Sequence, residues 1–461
     1  SAKVFHDALV AFAERRIITM KILFVSLGCD KNLVDSEVML GLLREKQYEI
    51  TDDEQKADVI VVNTCCFIND AKEESITTIL EMAELKKNGN LKALIVTGCL
   101  AQRYKDEIRK EIPEVDAVLG TNSYEDICDA VEEALQGKVT EEYKDLNYLP
   151  LVDTKRINTT GGYFSYLKIA EGCDKHCTYC IIPEIRGDYR SVPMEKLLKE
   201  ATQLAENGVE ELILVAQETT MYGKDIYGKK SLPILLRKLC EISGIKWIRI
   251  LYCYPEEITD ELIQVIKEEP KICKYLDMPI QHGADGILKR MGRRTNKAEL
   301  ISIVEKLRKE IPEICLRTTL ISGFPGETQE QHEELLEFVK KLRFDRLGVF
   351  TYSPEEGTPA ANFPDQIPEE VKEQRRNEIM EMQQKIAFET AEERLYQKVE
   401  VLIEGKLPDE NVFIGRTYRD APNVDGYIFV NCSHELMSGE MVTVQVTDAK
   451  EYDLIGEVVW D

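Results

Sequence analysis

The chain has 461 residues, 43% of them hydrophobic, which suffices for several ordinary cores, and no apolar run reaches membrane-spanning length. Lys and Arg number 59 against 84 Asp and Glu, a formal charge of −25 that argues against a long footprint on nucleic-acid backbone and for a basic partner. Thirteen cysteines in a chain with no signal peptide pattern suggest reduced thiols in the cytoplasm, some of them free for metal or redox chemistry. Residues 1–19 are mildly amphipathic and precede Met20; they read as an extension or cloning remnant and are set aside.

From Lys21 the pattern repeats. KILFVS (21–26), ADVIVVNT (57–64), LKALIVTG (91–98) and VDAVLG (115–120) are apolar strand candidates, each followed by a helical stretch. Continuous apolar strands alternating with helices predict an α/β layer around an open parallel sheet over 20–140. A polar, aperiodic segment over 141–160 reads as a linker. Over 161–365 the unit recurs six times, at 164–172, 211–218, 247–255, 275–281, 314–323 and 346–353, which predicts an open (β/α)6 partial barrel. A charged connecting helix over 366–395 follows. Short, turn-bounded strands over 396–461 then predict a small all-β barrel.

The stretch EGCDKHCTYC carries Cys173, Cys177 and Cys180 directly after the first strand of the partial barrel, at the mouth where barrel active sites are built. Thiolates suit iron–sulfur clusters or zinc, and structural zinc wants a fourth ligand that no residue supplies at a usual spacing. A 4Fe–4S cluster held by three thiolates keeps one iron open to a substrate or cofactor. A second set is dispersed: SLGCDKN carries Cys29, VNTCCF carries Cys65 and VTGCLAQ carries Cys99, each at the exit of one strand of the first sheet. Ligands of open α/β sheets bind beyond the carboxyl ends of strands, so these three thiols also predict a cluster. Cys66 competes with Cys65, and the NTC register favours Cys65. The other cysteines (Cys128, Cys240, Cys253, Cys273, Cys315 and Cys432) sit singly in apolar settings and read as core.

The three-cysteine loop resembles the signature of the radical S-adenosylmethionine (SAM) superfamily, and the two sets in this order resemble the methylthiotransferases, over essentially residues 20–461. The resemblance implies a cluster domain, a radical domain and a terminal TRAM barrel, with two 4Fe–4S clusters and SAM as cofactors and an external electron donor. It implies that the open iron on the Cys173 loop chelates SAM, and that one electron yields a 5′-deoxyadenosyl radical. The cluster on Cys29, Cys65 and Cys99 would handle the sulfur; one SAM methylates it, another removes a substrate hydrogen, and an S–CH3 group results. Two branches of that family compete, one acting on transfer-RNA adenosine and one on the β-carbon of an aspartate in small-subunit ribosomal protein number twelve. SLGCDKNLVDSE, LVAQETTMYG, YLDMPIQH, KRMGRRT and TTLISGFPGET resemble the second branch, with mild departures at Asp30, Cys66 and Glu218. Residues 396–461 hold 13 acids and 5 bases, which disfavours transfer RNA and suits a basic ribosomal protein.

Further candidates follow from position. Gly323, Gly326 and Glu327 form a Gly-rich turn after the fifth barrel strand that would let backbone approach the SAM adenosine. Gln217 and Glu218 end the second strand and are expected to meet SAM amino or ribose groups. Arg317, Arg186 or Arg190 would pair with its carboxylate, and Asp277 is a candidate pocket residue. A non-catalytic iron–sulfur carrier and a zinc-stabilised module are the readings of another class.

Overall fold

The stretches VIVVNT and ALIVTG are buried at every position, as expected of central strands covered on both faces. In a computed structural model of the chain, which describes residues 20–89 and 91–460, they are β3 (Val59–Thr64) and β4 (Ala93–Gly98) of a six-stranded sheet. Its other strands are β1 (Lys21–Ser26), β2 (Glu49–Thr51), β5 (Ala117–Leu119) and β6 (Thr140–Glu142). The order is β2-β1-β3-β4-β5-β6, and every pair is parallel. The chain moves to one side after β1 and to the other after β2, so the exits of β1 and β3 flank a topological switch point. Ile22, Val59, Val61, Ile95 and Leu119 pack against Met39, Leu43, Ile127 and Val131 from the flanking helices.

The polar segment expected as a linker begins instead with β6, and the rest of it is strapped to the first sheet's unit. Asn122 Nδ2 donates to Asp145 O and Leu146 O, and Lys144 pairs with Glu125 and Asp126. The Arg156–Glu37 pair is buried at 3.1 Å. The chain divides into compact units between Ile157 and Asn158. These polar contacts have no hydrophobic period, which is why the segment looks unstructured in sequence. The reading of residues 1–19 lies outside the described residues.

The second unit begins with β7 (Phe164–Lys168), followed by the short pair β8 (Ala170–Glu171) and β9 (Arg190–Ser191). Then come β10 (Glu211–Val215), β11 (Trp247–Ile250), β12 (Ile272–Asp277), β13 (Cys315–Ser322) and β14 (Arg346–Thr351). Six of these form one parallel sheet in the order β14-β13-β12-β11-β10-β7, the open partial barrel predicted. One face packs Leu212, Leu214, Ile248, Ile250, Leu276 and Leu316 against the helices. Alternate positions on the other face carry Lys168, Glu211, Arg249, Asp277 and Arg317, so charged groups are set among the apolar residues of the inner surface, such as Ile213 and Val215. The helix Glu369–Glu392 lies along the outer strands; Gln383 Nε2 donates to Phe344 O and Lys372 Nζ to Tyr352 O.

The terminal barrel closes in the order β15-β16-β17-β19-β18, from β15 (Lys398–Lys406), β16 (Val412–Arg416), β17 (Ile428–Asn431), β18 (Met441–Lys450) and β19 (Asp453–Val458). Its loop after β16 covers the end of the central sheet where the strands start. Glu211 accepts from Arg249 Nε and from Arg416 NH2, both at 2.7 Å, and all three side chains are 0% exposed. Arg249 NH1 donates to Tyr418 O at 2.7 Å, Arg419 pairs with Asp345, Arg346 pairs with Asp420, and Tyr275 Oη donates to Asp425 at 2.7 Å. No helix among the described residues is long and apolar enough to cross a membrane.

Candidate functional site

The first thiol set sits at the exits of β1, β3 and β4. Leu27 N donates to Asn63 O at 2.9 Å, and Gly28 turns the chain with φ +92°. A Cβ on Gly28 would lie 2.6 Å from Cys65 Cβ and 2.9 Å from its Sγ, so the Cys29 turn rests directly on Cys65 and only glycine fits. Asn32 ties the three exits together. Its Nδ2 donates to Leu27 O and Thr64 O, and its Oδ1 accepts from the Cys99 thiol at 3.8 Å. Ser75 clamps Cys65 from the following helix, its Oγ accepting from Cys65 N and donating to Cys65 O. Cys66 is buried beside them. Burial and the neighbouring Cys99 and Cys65 sulfurs push its thiol up to about 12, and Arg103 NH1 donates to its carbonyl at 3.1 Å. Asn32 is visible in SLGCDKN only as a polar residue on the first turn of a helix; its role emerges when the strand exits meet.

The second set lies on the loop after β8. Gly172 has φ +77°, and a Cβ there would fall 2.0 Å from Asp188 O. Cys173 N donates to Gly187 O, Thr178 N to Met291 O, and Cys180 N to Cys177 O, which pins the loop at three points. Cys173 and Cys177 are buried and Cys180 is half-buried. Burial, then nearby Glu218 and Cys177, pushes the Cys173 thiol up to about 11. Cys180 is also raised, by burial and then by Cys177 and Cys173. Buried sulfurs that repel one another as thiolates are a donor set that a cationic metal group relieves. Among the described residues no three His, Cys, Asp or Glu side chains surround a single metal-ion position. A four-iron cube is wider than one ion, and three thiolates that hold its corners do not meet at a point. His176 is exposed, as its place inside the loop suggests.

Polar groups missed in the sequence surround the loop. Glu171 is buried and accepts from Lys168 Nζ at 2.8 Å, Arg186 NH1 at 3.1 Å and Gln217 Nε2 at 2.7 Å. Burial would raise its carboxyl, but Arg186 and Lys168 outweigh that and hold it well below the ordinary range. Lys175, inside the cysteine motif, pairs with Glu257, with Glu218 at 3.5 Å and with Glu256 at 3.9 Å. Tyr254 places its hydroxyl 4.0 Å from Cys177 Sγ, with Arg293 4.3 Å and Lys175 5.0 Å from its ring centre. The signal for Glu171 and Lys175 was their place inside EGCDKHC. Arg293 stood inside KRMGRRT without being singled out, and Tyr254 carried no signal beyond its strand-end position.

Of the residues expected to meet SAM, Gln217 and Glu218 lie at this mouth. Gln217 Oε1 is buried with no hydrogen-bond partner. Glu218 accepts from Thr220 Oγ1 at 2.5 Å, and burial pushes its carboxyl up to about 7 despite Lys175. Arg186 is bonded to Glu171, and Arg190 donates to Asp188 O and Arg186 O. Arg317 is paired with Asp277 at 2.8 Å and lies 3.7 Å from Asp425 of the terminal barrel. Asp277 also accepts from Tyr252 N. Glu327 is buried and accepts from Gly323 N, Phe324 N and Arg375 NH1, so its carboxylate stitches its own turn. The space beside Gly323 is taken by Lys372, and that beside Gly326 by the Arg290 guanidinium. Tyr179 packs edge-on against Phe324 in an aromatic cluster with Tyr352 and Phe363.

This is the architecture of a radical SAM protein with an added thiol-bearing sheet and a terminal barrel. Family models agree: residues 21–120 match the uncharacterized protein family UPF0004, 167–339 the radical SAM superfamily and 397–459 the TRAM domain. Among curated proteins the chain is 70% identical over 437 residues to the ribosomal protein uS12 methylthiotransferase RimO of Lachnoclostridium phytofermentans, covering 95% of this chain and 99% of that one. It is 51% identical over 442 residues to RimO of Clostridioides difficile, covering 96% and 99%. The chain therefore belongs to the RimO family of methylthiotransferases, which are radical SAM transferases. A solved structure of the radical SAM methyltransferase TsrM from Kitasatospora setae, bound to cobalamin and a [4Fe-4S] cluster, shares the fold with TM-score 0.52 at 13% identity, over 74% of each chain.

Proposed function

We propose that this chain attaches a methylthio group to the β-carbon of an aspartate in ribosomal protein uS12, in the cytoplasm, with two 4Fe–4S clusters, SAM and an external electron donor. The observation that carries the reading is the pair of three-thiol sets, one at the exits of three adjacent strands and one on the loop at the barrel mouth. Cys29, Cys65 and Cys99 would hold one cluster; Cys173, Cys177 and Cys180 would hold the other. When bound, these groups and SAM supply the electron, the hydrogen-abstracting radical and the sulfur that is methylated and transferred.

The chain's own residues arrange the rest. Asn32 holds the first three exits together, and Gly28 lets two of them touch. Glu171 fixes Gln217, whose free Oε1 is an acceptor for the SAM ammonium. Glu218 is a second acceptor at the same mouth. Tyr254, backed by Arg293, covers Cys177 and keeps water away. We assign Arg317, Asp277, Gly323, Gly326 and Glu327 to the walls and turns that shape the pocket, because each is engaged within the protein. The net acidity of residues 396–461 supports a basic protein substrate over transfer RNA.

The test is anaerobic reconstitution with SAM, a reductant and a uS12 peptide. A gain of one methylthio group on aspartate by mass spectrometry is expected. Iron should measure about eight per chain, and about four after removal of either cysteine set. Modification of transfer-RNA adenosine instead, or no cleavage of SAM, would overturn the reading.

A further inference from the structure

The terminal barrel reaches the radical site through a chain of buried contacts. Asp425 stands in the loop that covers the strand-start end of the central sheet. Its carboxylate accepts from Ala421 N at 2.9 Å and from Tyr275 Oη at 2.7 Å, and lies 3.7 Å from Arg317 Nε. Arg317 NH1 donates to Asp277 Oδ1 at 2.8 Å. Asp277 then holds the turn after β11: its Oδ2 accepts from Tyr252 N at 3.1 Å, and its backbone carbonyl accepts from Cys253 N at 2.8 Å.

That turn is strained and consequential. Tyr252 has φ +60°, a conformation that a tyrosine adopts only when its surroundings impose it. Two residues on, Tyr254 sets its hydroxyl 4.0 Å from Cys177 Sγ and lies between Lys175 and Arg293. Its backbone N donates to Thr220 Oγ1 at 3.3 Å, and Thr220 bonds Glu218. One strained turn therefore sets a side chain against the cysteine loop and steadies an acid at the mouth. Asp277, which holds the strained turn, is in turn paired with Arg317, and Arg317 lies 3.7 Å from Asp425 of the terminal barrel.

We propose that Asp425 is a positioning residue for the radical site: through Arg317 and Asp277 it fixes the Tyr252–Tyr254 turn against the Cys173–Cys180 loop. The terminal barrel thus takes part in building the SAM site. The inference rests on the reading that Cys173, Cys177 and Cys180 hold a cluster that cleaves SAM. It adds that a domain outside the radical fold tunes that cleavage before any substrate binds.

The test uses full-length, anaerobically reconstituted protein carrying Asp425→Asn, with Tyr275→Phe as a milder second variant. Three quantities are read: the SAM-induced change in the reduced cluster's electron paramagnetic resonance spectrum, titrated for SAM affinity; 5′-deoxyadenosine formed without uS12; and KM for a uS12 peptide. Asp425→Asn should keep its iron, weaken SAM binding about five- to tenfold and slow uncoupled cleavage by a similar factor, while the peptide KM stays within about twofold. Tyr275→Phe should shift the same two quantities by about two- to threefold, and it carries the test if Asp425→Asn does not fold. SAM titration and uncoupled cleavage indistinguishable from the parent, or an effect confined to the peptide KM, would overturn the proposal. Persistence of 5′-deoxyadenosine formation in Cys177→Ala would instead sink the underlying reading.

Discussion

Three carboxylates, Glu218, Glu256 and Glu257, crowd the single ammonium of Lys175, and the acids do not share it equally. Glu257 has two lysines and is held below the ordinary range, burial notwithstanding, whereas Glu218 is buried deepest and is pushed up to about 7. A carboxyl raised on folding binds its proton more tightly in the native state. Native stability therefore falls as pH rises from its unfolded value of 4.5 towards 7. In iron-free protein, Glu218→Gln should remove that fall, worth on the order of 3 kcal/mol. The variant and parent should match near pH 4.5 in denaturant titrations and diverge above pH 7. Equal curves at both ends would show that Glu218 ionises freely. The placement of Cys29, Cys65 and Cys99 at strand exits was legible in sequence because each directly follows an apolar run. Asn32 and Glu171 were not, because a lone amide or acid beside a motif has the same signature whether it faces water or ties three loops together.

At the scale of elements, the cysteine loop is shaped by backbone. Its conformation depends on Gly172, where any side chain would strike Asp188 O in a left-handed conformation. On the proposed two-cluster reading, Gly172→Ala should displace Cys173 and lower bound iron from about eight to about four per chain, leaving the spectrum of the cluster assigned to Cys29, Cys65 and Cys99 intact. Unchanged iron would mean that the loop tolerates the shift. The long apolar strands and amphipathic helices were readable because period and burial coincide. β2 and β6, three residues each at the sheet's two edges and largely polar, were not. Edge strands that short leave no pattern, and only pairing with β1 and β5 defines them.

Across the molecule, the union of the central and terminal barrels is made by charge. Glu211, Arg249 and Arg416 are fully buried, a costly arrangement unless every partner is present. Removing one partner by Glu211→Gln should destabilise the protein by about 3–5 kcal/mol, read as a lowered unfolding midpoint. Burial alone would raise the carboxyls of Glu211 and Asp420, but Arg416 and Arg249 for the first and Arg346 for the second hold them below the ordinary range. Their stabilisation is thus present above the unfolded carboxylate range and lost progressively as pH falls from that range through their depressed folded values. Acid should loosen the terminal barrel first, seen as early protease cleavage near the connecting helix. In sequence, GRTYRDAPNVDG looks like an ordinary solvated loop; nothing in its composition distinguishes charges that meet water from charges that meet a neighbouring sheet.

That loop also sets an order of events during synthesis. The strand starts carrying Glu211, Arg249, Asp345 and Arg346 leave the ribosome long before Arg416–Asp425, which supplies the remaining partners and the cover. A nascent chain lacking its last segment holds a barrel with a charged, open floor. A chain that stops short of this loop also lacks the Asp425 brace on Arg317 and Asp277, so the proposed SAM site would be completed only once that loop is made.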